Sequence, residues 1–286
     1  MDRDKLKGGN SGKSVSIIIP TYNAEETLEG CLRSTCNQSY RAHDVIVVDN
    51  FSRDDTLKIA RGFGVSIIQR KGGPALARNV GIANSTSEYI LFLDADQILS
   101  HSIVEECVTK CETEVAGMVK ILEVFVGKGL WGSCSAAWKN CYHRVEQDAG
   151  GGLRGGEPRF FARERIIQSG MLNDDLFWGE DYDLYTRMKK MDIKEASCSA
   201  RIYHCEPTSL RSILLKIHRY GESMPIFTQQ TEKHIFWALF RNSILTFRAV
   251  LRGYRHYPAV IIGCTILLFL KSYSLTIGFL SGSLSH

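Results

Sequence analysis

Leu91-Phe92-Leu93-Asp94-Ala95-Asp96-Gln97 is an apolar run that breaks into two carboxylates one residue apart. Such a run reads as a buried strand, and acids at its end face outward at the carboxyl edge of a sheet. Open α/β sheets bind ligands at that edge. Asp-x-Asp there suits a hard divalent cation, which takes oxygen ligands and commonly bridges to substrate phosphates. The competing interpretation is a solvated turn that carries two acids by chance.

The residues upstream of this run repeat its pattern. Residues 15–20 (VSIIIP) read as a buried strand with Thr21-Tyr22-Asn23 as its exit turn. Residues 25–37 read as a helix, with Leu28, Cys31 and Leu32 on its buried face. Residues 44–48 (DVIVV) form a second strand ending at Asp49-Asn50. Ser52-x-x-Asp55 resembles a capping box and opens a helix over 52–62. A short strand at 65–69, a Gly72-Gly73-Pro74 turn and a helix rich in small residues at 75–83 lead to the strand at 89–93. This alternation predicts a parallel sheet with helices on both faces.

Downstream, the pattern loosens. A helix is expected at 101–112 and a strand region at 115–126. The glycines of 127–156 predict a long functional loop. A strand at 160–163, a helix at 182–191 behind the acidic pair Glu180-Asp181, and strands at 193–196 and 199–203 complete this part.

Composition bounds the class. The 286 residues are 44% hydrophobic and 23% charged, which fits one large globular domain with an appendage, or two domains. A net charge of +4, with no basic stripe interleaved with aromatics in the first 200 residues, gives no case for a nucleic-acid partner. Nine scattered cysteines without a CxxC pair argue against a zinc ribbon and for reduced thiols in a cytosolic setting. Residues 1–13 are polar and rich in Lys and Gly, and read as a loose tail, not a signal peptide.

The other end differs. Residues 209–256 carry apolar positions interleaved with Arg211, Lys216, Arg219, Arg241, Arg248, Arg252 and Arg255, the mark of basic amphipathic helices at a membrane interface. Residues 258–282 are nearly all apolar, with Lys271 as the only charge. Three arrangements fit: one tilted span, a re-entrant hairpin broken around Lys271-Ser272, or a helix packed on a partner. The expected organisation is a tail (1–13), a nucleotide-binding domain (14–208), interfacial helices (209–256) and a membrane-embedded helix or hairpin (257–284).

The strand ends carry a consistent chemistry. Thr21-Tyr22, Asp49, Arg70, Arg78-Asn79, Asp94 and Asp96 together offer a surface for a base, acids for ring N–H groups or ribose hydroxyls, cations for phosphate and a metal pair. That set suits a nucleoside diphosphate better than a dinucleotide. Neither GxGxxG after the first strand nor GxxxxGK[ST] occurs. A nucleotidyltransferase shares the sheet type, but its early Gly-rich, Lys/Arg-bearing loop is missing here.

Residues 14–23 (SVSIIIPTYN), 45–56 (VIVVDNFSRDDT), 73–81 (GPALARNVG), 89–97 (YILFLDADQ) and 179–183 (GEDYD) together resemble the family-2 glycosyltransferases, over about residues 14–205. The resemblance implies the GT-A type fold, a mixed and mostly parallel α/β sheet, and an inverting, metal-dependent transfer of one sugar from a UDP- or GDP-sugar. It implies that Pro20, Tyr22 and Glu25 line the nucleotide pocket, that Asp49 holds the base and that Arg78 helps to hold the nucleotide. Asp94 and Asp96 would carry Mg²⁺ or Mn²⁺ on the diphosphate, with His204 completing the metal or phosphate site. Asp181, paired with Glu180, would act as general base toward a sugar hydroxyl, or position an acceptor phosphate.

The Gln-x-x-Arg-Trp motif of polymerising members does not occur, which favours single addition. The basic stretch and apolar tail resemble members that work on polyprenyl- or dolichyl-linked acceptors at the cytoplasmic membrane face. Arg211, Lys216 and Arg219 would hold a lipid phosphate, and the loop 150–163, with Arg163, would close over the acceptor. Alternatives are a soluble glycan or protein acceptor, with the tail only an anchor, and a non-catalytic sugar-nucleotide or lipid-binding scaffold.

Overall fold

The structure is a computed structural model that describes residues 12–148, 158–176, 178–230 and 234–284. In chain order its first part is β1 (Val15–Thr21), α1 (Leu28–Cys36), β2 (Asp44–Asp49), α2 (Thr56–Phe63), β3 (Ser66–Gln69), α3 (Pro74–Asn84) and β4 (Tyr89–Phe92). There follow β5 (Gln97–Leu99), α4 (Ile103–Glu114), β6 (Met118–Val126), α5 (Gly129–Asp148), β7 (Pro158–Ala162), α6 (Arg163–Gln168), α7 (Glu180–Lys190) and β8 (Glu195–Cys205). Three helices close the chain: α8 (Leu210–Gln230), α9 (His234–Gly253) and α10 (Pro258–Leu284).

Among the described residues, the eight strands share one sheet in the order β3-β2-β1-β4-β7-β6-β8-β5. The half built from β1 to β4 is parallel, and β7 turns antiparallel against both β4 and β6. The expected α/β class is therefore present as a mixed sheet. Alternation along β1 explains its two-sided burial. Val15, Ile17 and Ile19 pack with Leu28 and Leu32 of α1 and Ala60 of α2, while Ile18 packs with Ala75 and Ile82 of α3. Gly81 lets α3 come this close: a Cβ there would lie 2.4 Å from Ile18 Cγ2.

Two compact units divide the chain without following chain order. One comprises residues 1–123, 156–174 and 180–204; the other comprises 124–155, 175–179 and 205–286. In the second, α5, α9 and α10 pack around Cys134, Ala137, Val250, Cys264 and Leu267.

Several expectations are corrected. The loop expected at 127–156 is largely the helix α5. Gly127 precedes this helix and Gly129 and Gly132 lie in its first turn, while residues 133–148 contain neither Gly nor Pro to break it. Of the acceptor loop expected at 150–163, residues 158–162 are the strand β7, while residues 149–157, and 1–11 of the expected tail, lie outside the described residues. Ser52 does not cap α2, which starts at Thr56. Its hydroxyl instead donates to Asp49 Oδ1 at 2.5 Å. The strands expected at 193–196 and 199–203 are one continuous strand, β8. The hairpin break at Lys271-Ser272 is absent, since α10 runs unbroken through both residues.

Candidate active site

The parallel strands end at one edge, and the chemistry gathers there. Asp49 ends β2 fully buried. It accepts hydrogen bonds from the Thr21 hydroxyl (3.0 Å), the Ser52 backbone N–H (2.9 Å) and the Ser52 hydroxyl. Its charge is thus satisfied by neutral donors, and it pins the exit loop of β2 to the end of β1. The loops after β1 and β2 are also tied to each other. Ser52 accepts from the Asn23 backbone N–H, and Asn23 Oδ1 accepts from the Arg53 backbone N–H. Glu25 is exposed and accepts from the Asp55 backbone N–H. Pro20 is half-buried at the end of β1, and Tyr22 follows it, exposed. Asn23 and Phe51 both take positive φ (47° and 54°), a conformation uncommon for side-chain-bearing residues and concentrated at functional loops.

Beyond β4, three basic groups interlock with four carboxylates. Arg78 reaches from α3 and is buried. Its guanidinium donates to Asp94 Oδ1 at 2.7 Å and to Glu180 Oε1 at 2.5 Å. Arg159, on β7, reaches Asp94 Oδ2 at 3.3 Å and Glu123 Oε1 at 2.9 Å. Burial alone would raise the Asp94 pKa, but Arg159 and Arg78 outweigh it and hold the carboxyl below its usual value. Glu123, on β6, turns its other oxygen to His204 Nδ1 at 3.1 Å. His204 Nε2 lies 3.2 Å from Asp96 Oδ2. Burial works against the imidazolium, but Asp96 and Glu123 on either side raise the His204 pKa to about 9.

Register explains how residues more than a hundred positions apart meet. β5 pairs antiparallel with β8, so Gln97 faces His204 and Asp96 precedes it by one residue. The buried Gln97 side chain accepts from the Asp94 backbone N–H at 2.9 Å and so fixes the turn between the two acids.

Glu180 opens α7 and is buried; burial first, then the adjacent Asp181, raise its pKa to about 7 against the pull of Arg78. Asp181 is half-buried, and its Oδ1 accepts from the Tyr182 backbone N–H at 2.9 Å.

The structure thus brings Arg78, Asp94, Asp96, Glu180 and His204 into one connected cluster. It places Arg163 elsewhere, which corrects that expectation. β7 runs antiparallel to β4 with Ala162 opposite Tyr89, so Arg163 lies at the opposite edge of the sheet, and its backbone N–H donates to Glu88 O. Arg211 and Arg219 are exposed on α8, in the second unit. Sequence reasoning missed Arg159 and Glu123. The available signal was Glu123 itself, a carboxylate on the same strand face as the buried Ile121 and Phe125, where a charge needs a partner.

Among the described residues, no group of three or more His, Cys, Asp or Glu is arranged to hold a metal ion unaided. The residues present would still suit a divalent cation that takes part of its oxygen ligands from outside the protein. Asp96 and His204 face each other at 3.2 Å with Glu123 behind the ring, and His204 Nε2 would become a ligand when a cation displaces the ring proton that Asp96 and Glu123 otherwise favour. Asp94, with each oxygen held by an arginine, retains further lone pairs.

The sequence profile described as glycosyl transferase family 2 matches residues 16–163, just over half of the chain. Over 106 residues, 35% of this chain and 31% of the relative, the chain is 31% identical to the uncharacterized glycosyltransferase YibD of Escherichia coli. Over 91 residues, 29% of this chain and 30% of the relative, it is 40% identical to glycosyltransferase AglE of Haloferax volcanii. The aligned segments thus span about a third of these curated relatives. The mannosyltransferase PcManGT from Pyrobaculum calidifontis, solved in complex with GDP-Man and Mn²⁺, has a similar fold. The TM-score is 0.57 at 18% identity, over 98% of this chain and 92% of that one. With its fold, edge chemistry and profile in agreement, the chain belongs to glycosyl transferase family 2.

Proposed function

We propose that the protein is an inverting, metal-dependent glycosyltransferase that moves one sugar from a UDP- or GDP-sugar to a lipid-linked acceptor at the cytoplasmic membrane face. The carrying observation is the cluster in which Asp96 and His204 face each other while Arg78 and Arg159 grip Asp94. In this reading Asp49, Pro20, Tyr22 and Glu25 receive the nucleoside. Asp96 and His204, with Asp94 beside them, would hold Mg²⁺ or Mn²⁺, which when bound would supply positive charge to offset the negative charge developing on a diphosphate leaving group. The arginines favour the ionised form of the half-buried Asp94. Arg78 also fixes Glu180, which leaves Asp181 as the carboxylate for the acceptor hydroxyl, or for positioning an acceptor phosphate.

The solved complex of PcManGT with GDP-Man and Mn²⁺ supports the donor and metal parts of this reading. Two features of the second unit support a lipid-linked acceptor. A groove of about 580 Å³ is lined by Leu210, Leu214 and Leu215, with Arg211, His218 and Ser274 beside them, which suits an isoprenoid chain and its phosphate. Arg219 is not among the lining residues. Helix α10 has mean hydropathy 1.9 with only 17% of its most apolar window buried. The cytoplasmic assignment draws on the nine cysteines, none joined by a disulfide.

The test is a panel of UDP- and GDP-sugars with Mn²⁺ or Mg²⁺, with and without polyprenyl phosphate, scored for nucleoside diphosphate release and lipid glycosylation. Release stimulated by the lipid supports the reading. Transfer to soluble glycans alone favours the soluble-acceptor alternative, and no turnover of any donor overturns the enzyme assignment.

A further inference from the structure

Helix α10 carries its residues on two opposed faces. Ile262, Ile266, Phe269, Tyr273, Ile277 and Leu280 recur at three- and four-residue steps, so they form one stripe. All six are exposed, Phe269 and Tyr273 at 71% and 69%. The other face is bound to its neighbours along the whole helix. Near its start, a Cβ on Gly263 would lie 2.4 Å from Cys134 Sγ of α5, and the Cys264 thiol donates to Cys134 O. At mid-helix, Lys271 Nζ donates to Ser135 Oγ at 3.0 Å. Ser135 in turn donates to the buried Glu206, which also pairs with Lys139. Lys271 therefore belongs to the packed face, and the exposed stripe carries no charge.

Toward the end of α10 the packing becomes backbone against backbone. Ser274 donates to Leu214 O of α8. A Cβ on Gly278 would lie 2.1 Å from His218 O, and one on Gly282 would lie 2.2 Å from Glu222 O. Helix α8 thus goes wherever α10 goes. It carries Arg211, Lys216, Arg219 and Glu222, and among the described residues only α10 is long and apolar enough to cross a bilayer. A crossing α10 would draw these charges into hydrocarbon or tear the two helices apart. On α9, Arg241, Arg248 and Arg252 are exposed together with Ile244, Leu245 and Leu251, and Arg255 is exposed in the turn that follows, a mixture that suits the boundary between anionic headgroups and acyl chains.

We infer that α10 lies in the plane of an anionic membrane leaflet, its Ile262-to-Leu280 stripe sunk into the acyl boundary, and does not cross the bilayer. Both of its ends stay on one side. The inference rests on the membrane association proposed above and adds its topology.

The test uses the full chain with an epitope tag after His286, in sealed inside-out membrane vesicles from expressing cells. Protease added outside, without detergent, is expected to remove the tag and degrade the sheet-bearing unit together. A tag protected until detergent is added overturns the in-plane placement but leaves membrane association standing. Protein absent from the vesicles and recovered as a soluble dimer overturns both, with a second copy covering the stripe. In flotation with phosphatidylcholine vesicles containing phosphatidylglycerol, Phe269→Glu/Tyr273→Glu is expected to lower the bound fraction on the order of tenfold. Omitting phosphatidylglycerol is expected to lower it for the unaltered chain as well. Binding unchanged in both comparisons would overturn the assignment of the stripe and the arginines.

Discussion

Replacing Glu180 by glutamine removes one buried negative charge with almost no change of shape. In the folded chain, burial and the neighbouring Asp181 raise the Glu180 pKa from 4.5 to about 7. The unfolded chain releases this proton near 4.5, so the folded state binds it more tightly. The associated stability is fully present below about pH 4.5 and is lost as pH rises through about 7. A tenfold difference in proton affinity between the folded and unfolded chain is worth about 1.4 kcal/mol. The whole effect therefore comes to about 3 kcal/mol, most of it falling between roughly pH 5 and 8. Urea unfolding of the metal-free chain at both pH values, with Glu180→Gln alongside, reads it directly. Between roughly pH 5 and pH 8 the variant is expected to gain about 2–3 kcal/mol relative to the unaltered chain. Parallel pH profiles would refute the reasoning. So would a gain by the unaltered chain over the variant toward alkaline pH, the sign of a carboxyl whose pKa is lowered on folding.

Other perturbations probe the rest of the site and its support. Glu123→Gln loosens the hold on both His204 and Arg159, and is expected to weaken Mn²⁺ affinity in the presence of nucleoside diphosphate by about 10-fold or more, measured by isothermal titration. Asp49→Ala leaves the Thr21 and Ser52 donors without their buried acceptor. It is expected to cost about 1–3 kcal/mol in urea unfolding and to raise the donor KM. Gly81→Leu forces side-chain volume into the contact with Ile18, with an expected loss of about 1–3 kcal/mol; unchanged stability would contradict the close α3–β1 approach.

Much of the sheet was legible because β1, β2 and β4 are short apolar runs ending in polar turns, with helices between them. That pattern fixes which residues share an edge: Asp49, Asp94 and Asp96 could be placed together from local sequence alone. Helix α5 was not legible, because the glycines at its start and the Gly-rich segment after it outweighed the breaker-free stretch between them. Arg159 and Glu123 were hidden for a different reason. Each sits on an antiparallel strand in the second half of the sheet, and their meeting with Asp94 and His204 depends on long-range register. His204 came only through family resemblance; the pairing of Gln97 with His204 supplies the physical cause. Lys271 looked costly in an apolar helix until the structure placed it beside Ser135, within the Glu206 network.

The most direct test of the donor site is isothermal titration of UDP and GDP into the intact chain and Asp96→Ala, each with and without Mn²⁺. The expected result is at least one nucleotide whose binding to the unaltered chain is strengthened by Mn²⁺, with that advantage lost in the variant. Affinities indifferent to Mn²⁺ in the unaltered chain, or an equal Mn²⁺ advantage in Asp96→Ala, would contradict the assignment of Asp96 and His204 as the grip on the diphosphate-bound metal.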